Sequence, residues 1–547
     1  MALTPGAAAP AGPTTTRLGA AWPRRGAAAT LWAWLASPRG EPLLLAGLVA
    51  LALAVRYPFL WAAPGPTDEW REAEVALDIV REGQWPLTGY DPYIGALWHY
   101  LLAAAYLVLG ADLRVPRLFA LALGALTVVP TYLLGRELGG RLAGLLAGLL
   151  LLTCPLHVVV NSHVAWAHSA TPLFTTTGCW LLAAAARRHS GWRLAGAGLA
   201  FGAAVQTHPT ALVLVVGGLA YLALRGWWPS RRWLWLAAAL FALGCLNELV
   251  FIALDPLAYL AAVQSSQQDH GLACLSSRLV CYQQNLTFLA LSLLRLPIAV
   301  GWDTLDAGEV LREPLVWLYA AALGAGIAIT ARRGQVLALC LLGAAALLLP
   351  LAQPASYAFI PDGRYAMPVL PPLYTALAAA LSRPPGRVPA VLGPLAGALL
   401  ALGALGSLSA YYASHADELV ALQELWLALR QVHDQAPPGA TVLLDERLER
   451  RFHADGVARN TLELLEAMDL DARYAKISPQ SIPGPDALLV LTCSTYERVR
   501  DPAGLVSLGP GPADRCGSVQ AARESSAAER LPTGTSRTGQ SKPSRSV

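Results

Sequence analysis

Between Trp61 and Tyr100 the chain collects Asp68, Glu69, Arg71, Glu72, Glu74, Asp78, Arg81, Glu82 and Asp91, although only 14% of its residues are charged. Three later polar patches break the apolar text: Asn161-Ser162-His163 with Trp166 and His168, then His208, then Asp362, Arg364 and Tyr365. Carboxylates and arginines in this mixture suit two tasks. A carboxylate takes the proton of an attacking hydroxyl as a general base. A guanidinium holds a phosphate bidentately and never loses its charge. Blander readings stand beside these. The first patch also reads as a solvated connecting loop, and His163 and His168 as interfacial histidines bonded to backbone. Arg364 equally suits a pair with Asp362 or snorkelling to the interface. His163 and His168 are five apart and do not share a helix face, so they do not make a metal site.

The elements around these residues follow from local pattern. Thr67 reads as a helix N-cap, with Asp68 and Glu69 at the positive end of the helix dipole. Ala73, Ala76, Leu77 and Val80 recur at helical spacing, giving one apolar and one charged face. Coming straight after an apolar run, this helix is expected to lie in the plane of a membrane interface.

Composition sets the class. Of 547 residues 55% are hydrophobic, mean hydropathy is +0.45, and apolar runs succeed one another from Leu43 to Ala410. That pattern belongs to a polytopic membrane protein. Net charge is only +4, and no basic stripe interleaved with aromatics appears, so nucleic acid is excluded as a partner. Arginine clusters at 136/141, 187/188/193, 225/231/232, 332/333 and 383/387 mark the cytoplasmic loops. With residues 1–40 as a disordered cytoplasmic tail, parity gives about eleven spans within 41–412. The C-terminus is then extracytoplasmic. The same parity keeps runs 94–110 and 286–300 from crossing, so both are expected as interfacial or re-entrant helices. It also makes 142–160 a single crossing.

From Tyr411 the character changes. Residues 417–435 read as an amphipathic helix, and 441–446 and 487–492 as strands, so 413–520 is expected to be a small extracytoplasmic α/β domain, followed by a disordered tail at 521–547. Asp445, Glu446, Arg447, Glu449, Arg450 and Arg451 look like a solvated helix face. Cys274, Cys281, Cys493 and Cys516 fall on the side where disulfides persist, and bridges 274–281 and 493–516 are expected there.

Several stretches together resemble a known family. They are Thr67-Asp68-Glu69, Tyr93-Ile94-Gly95-Ala96-Leu97 with Tyr100, Val115-Pro116-Arg117-Leu118, and Tyr132 through Gly140. Asn161-Ser162-His163 through Phe174 and Gly363-Arg364-Tyr365 through Pro371 complete the set. Their order and sidedness over about residues 43–380 resemble the membrane glycosyltransferases that use polyprenyl-phosphate sugars. That group includes the protein O-mannosyltransferases and the lipid A aminoarabinose transferases, all of the GT-C fold. Two departures stand out: the lysine often found near Tyr93 is absent, and His168 stands where a second acidic residue is usual.

The resemblance implies an all-α polytopic GT-C-like protein of the plasma membrane. It would move a sugar, with inversion, from a polyprenyl-phosphate donor to an extracytoplasmic acceptor (protein, lipid or envelope glycan). Asp68 with Glu69 would be catalytic. Arg71, Glu72, Tyr93, His99, His163, His168, Arg364 and Tyr365 would bind substrate. No cofactor is implied with certainty, and a divalent metal stays open. Two rival classes remain, a flippase or transporter of a lipid-linked or anionic substrate and a non-catalytic envelope-assembly subunit.

Overall fold

The computed structural model describes residues 37, 39–60, 69–112, 114–163, 165–269, 278–295, 297, 307–352, 364–383, 389, 391–414, 416–437, 439–448, 461, 465, 470–478, 487–492, 505–507 and 519–524. The helices run in the order α1 (Glu41–Arg56), α2 (Glu69–Glu82), α3 (Leu97–Leu109), α4 (Val115–Gly139), α5 (Arg141–Thr153), α6 (Pro155–His163), α7 (Thr171–Arg188), α8 (Gly191–Thr207), α9 (Leu212–Arg225) and α10 (Arg231–Gly244). After them come α11 (Leu246–Leu254), α12 (Pro256–Asp269), α13 (Arg278–Arg295), α14 (Ala307–Arg312), α15 (Pro314–Arg332), α16 (Val336–Ala352), α17 (Leu370–Leu381), α18 (Leu392–Ser414) and α19 (Ala416–Gln435).

Among the described residues four helices are long and apolar enough to cross a bilayer: α1 with its short extension to Phe59, α4, α15 and Leu392–Ala410 of α18. Two bent pairs raise the number to six if each is one span. The count of eleven is therefore approximate, because several helices in the expected positions are shorter than a full crossing. Run 142–160 is not one straight helix. Pro155 cannot donate to the helical ladder, Cys154 before it is extended (φ −60°, ψ 117°), and α5 and α6 meet at a 58° bend. The second bend, 74° between α10 and α11, falls at Cys245.

Small residues let the helices close up. A Cβ on Gly198 of α8 would stand 2.2 Å from the Ala237 carbonyl oxygen of α10, and one on Gly202 would stand 2.1 Å from that of Phe241. Without a hydrophobic drive between helices in lipid, such backbone approach is what packing rests on.

The bundle has two chemically distinct ends, and α4 joins them. Arg117 in its first turn and Glu137 in its last stand twenty residues apart. At 1.5 Å per residue that is about 30 Å, the depth of a bilayer's hydrocarbon. At the Glu137 end the expected arginine loops converge. Arg187 Nε lies 3.1 Å and Arg188 Nη2 3.0 Å from the Glu137 carboxylate. Arg333 donates to the carbonyls of Ala379 and Arg383 at 3.1 and 2.6 Å.

α3 has thirteen residues, about 20 Å of helix, which is short of the hydrocarbon depth. It packs against α2, whose Ala73, Ala76 and Leu77 are buried as the spacing requires.

The C-terminal region forms a five-stranded sheet of β1 (Thr441–Asp445), β2 (Asp471–Ala475), β3 (Leu488–Thr492), β4 (Leu505–Ser507) and β5 (Val519–Glu524) in the order β2-β1-β3-β5-β4. β1 pairs in parallel with β2 and β3, and β5 is antiparallel to its neighbours β3 and β4. The α2 and α3 faces and the sheet region share one continuous core, from Ala76 and Trp98 to Leu429, Val442 and Val490. Asp445 departs from the expected solvated helix face: it ends β1, is buried, and accepts the Arg447 backbone N–H at 3.1 Å. The paired cysteines expected at 274/281 and 493/516 lie outside the described residues or side chains, whereas Cys154, Cys179, Cys245 and Cys340 are unbridged.

Impermeant thiol labelling of intact cells tests the placement of α3, using single cysteines at Gly110 and Arg136 in a background without the native exposed cysteines. Labelling is expected at 110 and not at 136; the reverse pattern rejects the interfacial assignment.

Candidate active site at the Arg117 end

Everything at this end is fixed through one buried ion pair. Arg117 donates from Nε to Glu69 Oε1 at 2.8 Å and from Nη2 to Oε2 at 3.1 Å, with both side chains fully buried. Its Nη1 donates to the Leu60 carbonyl at 3.0 Å, so one guanidinium ties α4 to α2 and to the end of the first apolar helix. Three residues along α2, Glu72 accepts the backbone N–H of Ala167 at 2.6 Å. The first turn of α2 is thereby held both to α4 and to the 165–170 turn.

Asn161 holds that turn from below. Its Nδ2 donates to the carbonyls of Ala120 and Ser169 at 3.2 and 3.1 Å. Its own backbone leaves the helix (φ −90°, ψ 15°). Gly124 makes room for it: a Cβ there would lie 2.4 Å from Asn161 Cβ. Next in the chain, the Thr171 and Thr207 hydroxyls meet at 3.0 Å, joining the start of α7 to the end of α8.

Four rings gather beside this frame. The His168 and His208 centroids are 3.9 Å apart, and Tyr365 stands 5.1 Å from the first and 5.4 Å from the second. Tyr93 meets His208 edge-on at 6.3 Å. His208 Nδ1 stands 2.8 Å from the Thr210 hydroxyl and 3.3 Å from the Thr210 backbone nitrogen, which fixes the orientation of the ring. Gly95 lets the Tyr93 loop approach, since a Cβ there would sit 2.2 Å from Gln206 Cγ.

The residues singled out in the sequence therefore separate. Glu69, Glu72, Tyr93, His168 and Tyr365 are brought together at this end. Arg71 lies over the Tyr90 ring at 4.7 Å. His99 is buried under Gly89, where a Cβ would fall 2.5 Å from its ring, and neither nitrogen has a partner among the described residues. Burial pushes it down to about 3, so it is neutral at any physiological pH. Asp68 lies outside the described residues, as do the side chains of His163 and Arg364, although the Arg364 backbone opens the 3₁₀ turn Arg364–Val369. Among the described residues no three His, Cys, Asp or Glu side chains are grouped to hold a metal.

Sequence reasoning quoted Arg117 without giving it a task and left His208 out of the binding set. The available signal was a charge at the mouth of an apolar run, which has to find a partner. The same signal attaches to Arg56. It is fully buried, donates to the Ala52 and Leu152 carbonyls at 3.1 and 3.3 Å, and stands 2.7 Å from His157 Nδ1.

Residues 95–251 match the family described as Dolichyl-phosphate-mannose-protein mannosyltransferase. A search of curated protein sequences gave no match. In fold the chain is similar to ArnT from Cupriavidus metallidurans bound to undecaprenyl phosphate, with a TM-score of 0.54 at 14% identity over 91% of this chain and 100% of that one. The apo state of the same enzyme gives 0.50 at 16% identity over 90% and 99%. The apo oligosaccharyltransferase of Archaeoglobus fulgidus gives 0.46 at 14% identity, over 77% of this chain and 64% of that one. The chain has the GT-C membrane glycosyltransferase fold. The mannosyltransferase match runs through its central helices, α3 to α11.

Two measurements test the frame. Arg117→Met removes the bidentate partner of the buried Glu69 carboxylate, and breaking a buried pair from one side costs about 3–5 kcal/mol. Thermal unfolding in detergent is expected to show that loss, with much of it recovered in Glu69→Gln/Arg117→Met. For His99 the unfolded ring titrates near its ordinary 6.5 and the folded ring near 3. Between those values the unfolded state binds the extra proton, so stability falls as pH drops below about 6.5. His99→Phe is expected to give a flatter stability profile across that window.

Proposed function

We propose that this protein transfers a sugar, with inversion, from a polyprenyl-phosphate donor to a hydroxyl acceptor, and that Asp68 is the general base. The observation that carries the reading is the double anchoring of the first turn of α2, through Glu69 to Arg117 and through Glu72 to the Ala167 N–H. Asp68 is the residue before that anchored turn. Glu69 has its carboxylate taken up by Arg117, so its part is to position and the proton falls to Asp68. Catalytic groups gain most from such fixed placement.

The acceptor oxygen attacks the anomeric carbon while its proton passes to the Asp68 carboxylate. The bond from that carbon to the phosphate oxygen breaks on the opposite face, and polyprenyl phosphate leaves. Arg364 and Arg71 balance the charge on the departing phosphate. A phosphate is a good leaving group, and no general acid is required. The His168, His208 and Tyr365 rings offer an apolar face with polar edges, the kind of surface on which a pyranose packs. The ArnT relative holds undecaprenyl phosphate, and a lipid of that chemistry is the proposed carrier here. In this reading 41–412 is the catalytic membrane domain and 413–520 an extracytoplasmic domain beside it. The N-terminus is cytoplasmic, and the acceptor is an extracytoplasmic protein, lipid or glycan.

Asp68→Asn tests it. With purified protein, a polyprenyl-phosphate sugar and acceptor, transfer is expected to fall by about 10²–10⁴, the usual contribution of a general base, while donor binding is kept. Unchanged turnover removes Asp68 as base. A donor moved across vesicles without transfer favours the flippase class instead.

A further inference from the structure

The arginine-rich end of the bundle holds a feature that sugar transfer does not use. Between α7, α8, α9 and α10 lies a cavity of about 330 Å³, in the range of small-ligand pockets. Its walls are carbon almost throughout, including Leu182, Phe201 and Phe241. Leu219 and Ala238 also line it and are themselves exposed, so it opens sideways onto the lipid-facing surface.

Charge flanks this cavity along the helices that line it. Three lining leucines stand within a helical turn of an arginine: Leu194 beside Arg193, Leu222 before Arg225 and Leu234 after Arg231. Segments 187–194 and 222–234 contain no Asp or Glu. Glu137 takes up Arg187 and Arg188. Among the described residues Arg193, Arg225 and Arg231 make no ion pair, and the last two are exposed. Trp192, Trp228 and Trp235 are largely exposed around them, and tryptophans so placed mark headgroup depth.

An apolar slot open to the bilayer beside unpaired cations at headgroup depth has one complementary occupant. The geometry points to a bound anionic phospholipid, with one acyl chain in the cavity and its phosphate on Arg193, Arg225 and Arg231. Basic pockets between membrane helices recognise anionic headgroups in this way. The donor lipid is a poorer fit, because its phosphate belongs at the Arg117 end. α8 carries the cavity's Leu194 near its start, whereas its Thr207 reaches the ring cluster at the other end.

The test is native mass spectrometry of the full chain, delipidated in mild detergent and offered equal palmitoyl-oleoyl phosphatidylglycerol and phosphatidylcholine. The wild type is expected to keep phosphatidylglycerol adducts at collision energies that strip phosphatidylcholine. R193Q/R225Q/R231Q is expected to lose that preference about tenfold. A238W, which fills the mouth, is expected to lose both adducts with sugar transfer intact. R225Q alone, at an exposed position, supplies the same comparison if the triple variant is recovered unfolded. Equal retention of the two lipids by the wild type overturns the proposal. So does an unchanged preference in the arginine variants, or displacement of the adduct by polyprenyl phosphate.

Discussion

A carboxylate and a guanidinium buried together at the end of a membrane bundle set the terms for the rest of this structure. Neither Glu69 nor Arg117 has water to fall back on. Their pairing offsets a large desolvation cost, because an isolated charge in that setting is heavily penalised. Their bidentate geometry fixes the angle between α2 and α4, and the Arg117 bond to Leu60 fixes the chain entering from the first helix. Glu72, Asn161 and the Thr171–Thr207 contact extend that frame around the site. The rings of His168, His208 and Tyr365 stand on a support held together by these buried polar joints.

Much of this was legible in the sequence. Helical spacing in α2 predicted which face is buried, because burial of Ala73, Ala76 and Leu77 is a local periodic property. Arginine clusters predicted which loops meet, and the Glu137 end assembles them. Strands β1 and β3 stood out as short apolar runs. What sequence could not give was partnership across distance. Nothing local says that Arg117 pairs with Glu69 rather than with Glu72, or that His208 stacks on His168. Such pairings depend on helix rotation and on approach permitted by single glycines, as Gly95 and Gly124 permit here. The bend at Cys154 was missed for another reason: hydropathy is continuous through Pro155, and a count of apolar residues does not register a lost N–H.

The two ends of α4 divide labour along one helix. At Glu137 cations outnumber the single buried carboxylate, and the surplus faces the lipid surface. At the other end the buried Arg117 guanidinium is matched by the buried Glu69 carboxylate.

The shared core of α2, α3 and the C-terminal sheet also bears on how the chain is made. Ala76, Trp98 and Tyr106 are synthesised early, but Leu429, Val442 and Val490, members of the same cluster, emerge hundreds of residues later. Contacts of such long sequence separation form slowly and after local ones. During synthesis the apolar faces of α2 and α3 are without their final cover. Burial of the apolar faces of α2 and α3 is therefore completed late, once β1, β2 and β3 have formed.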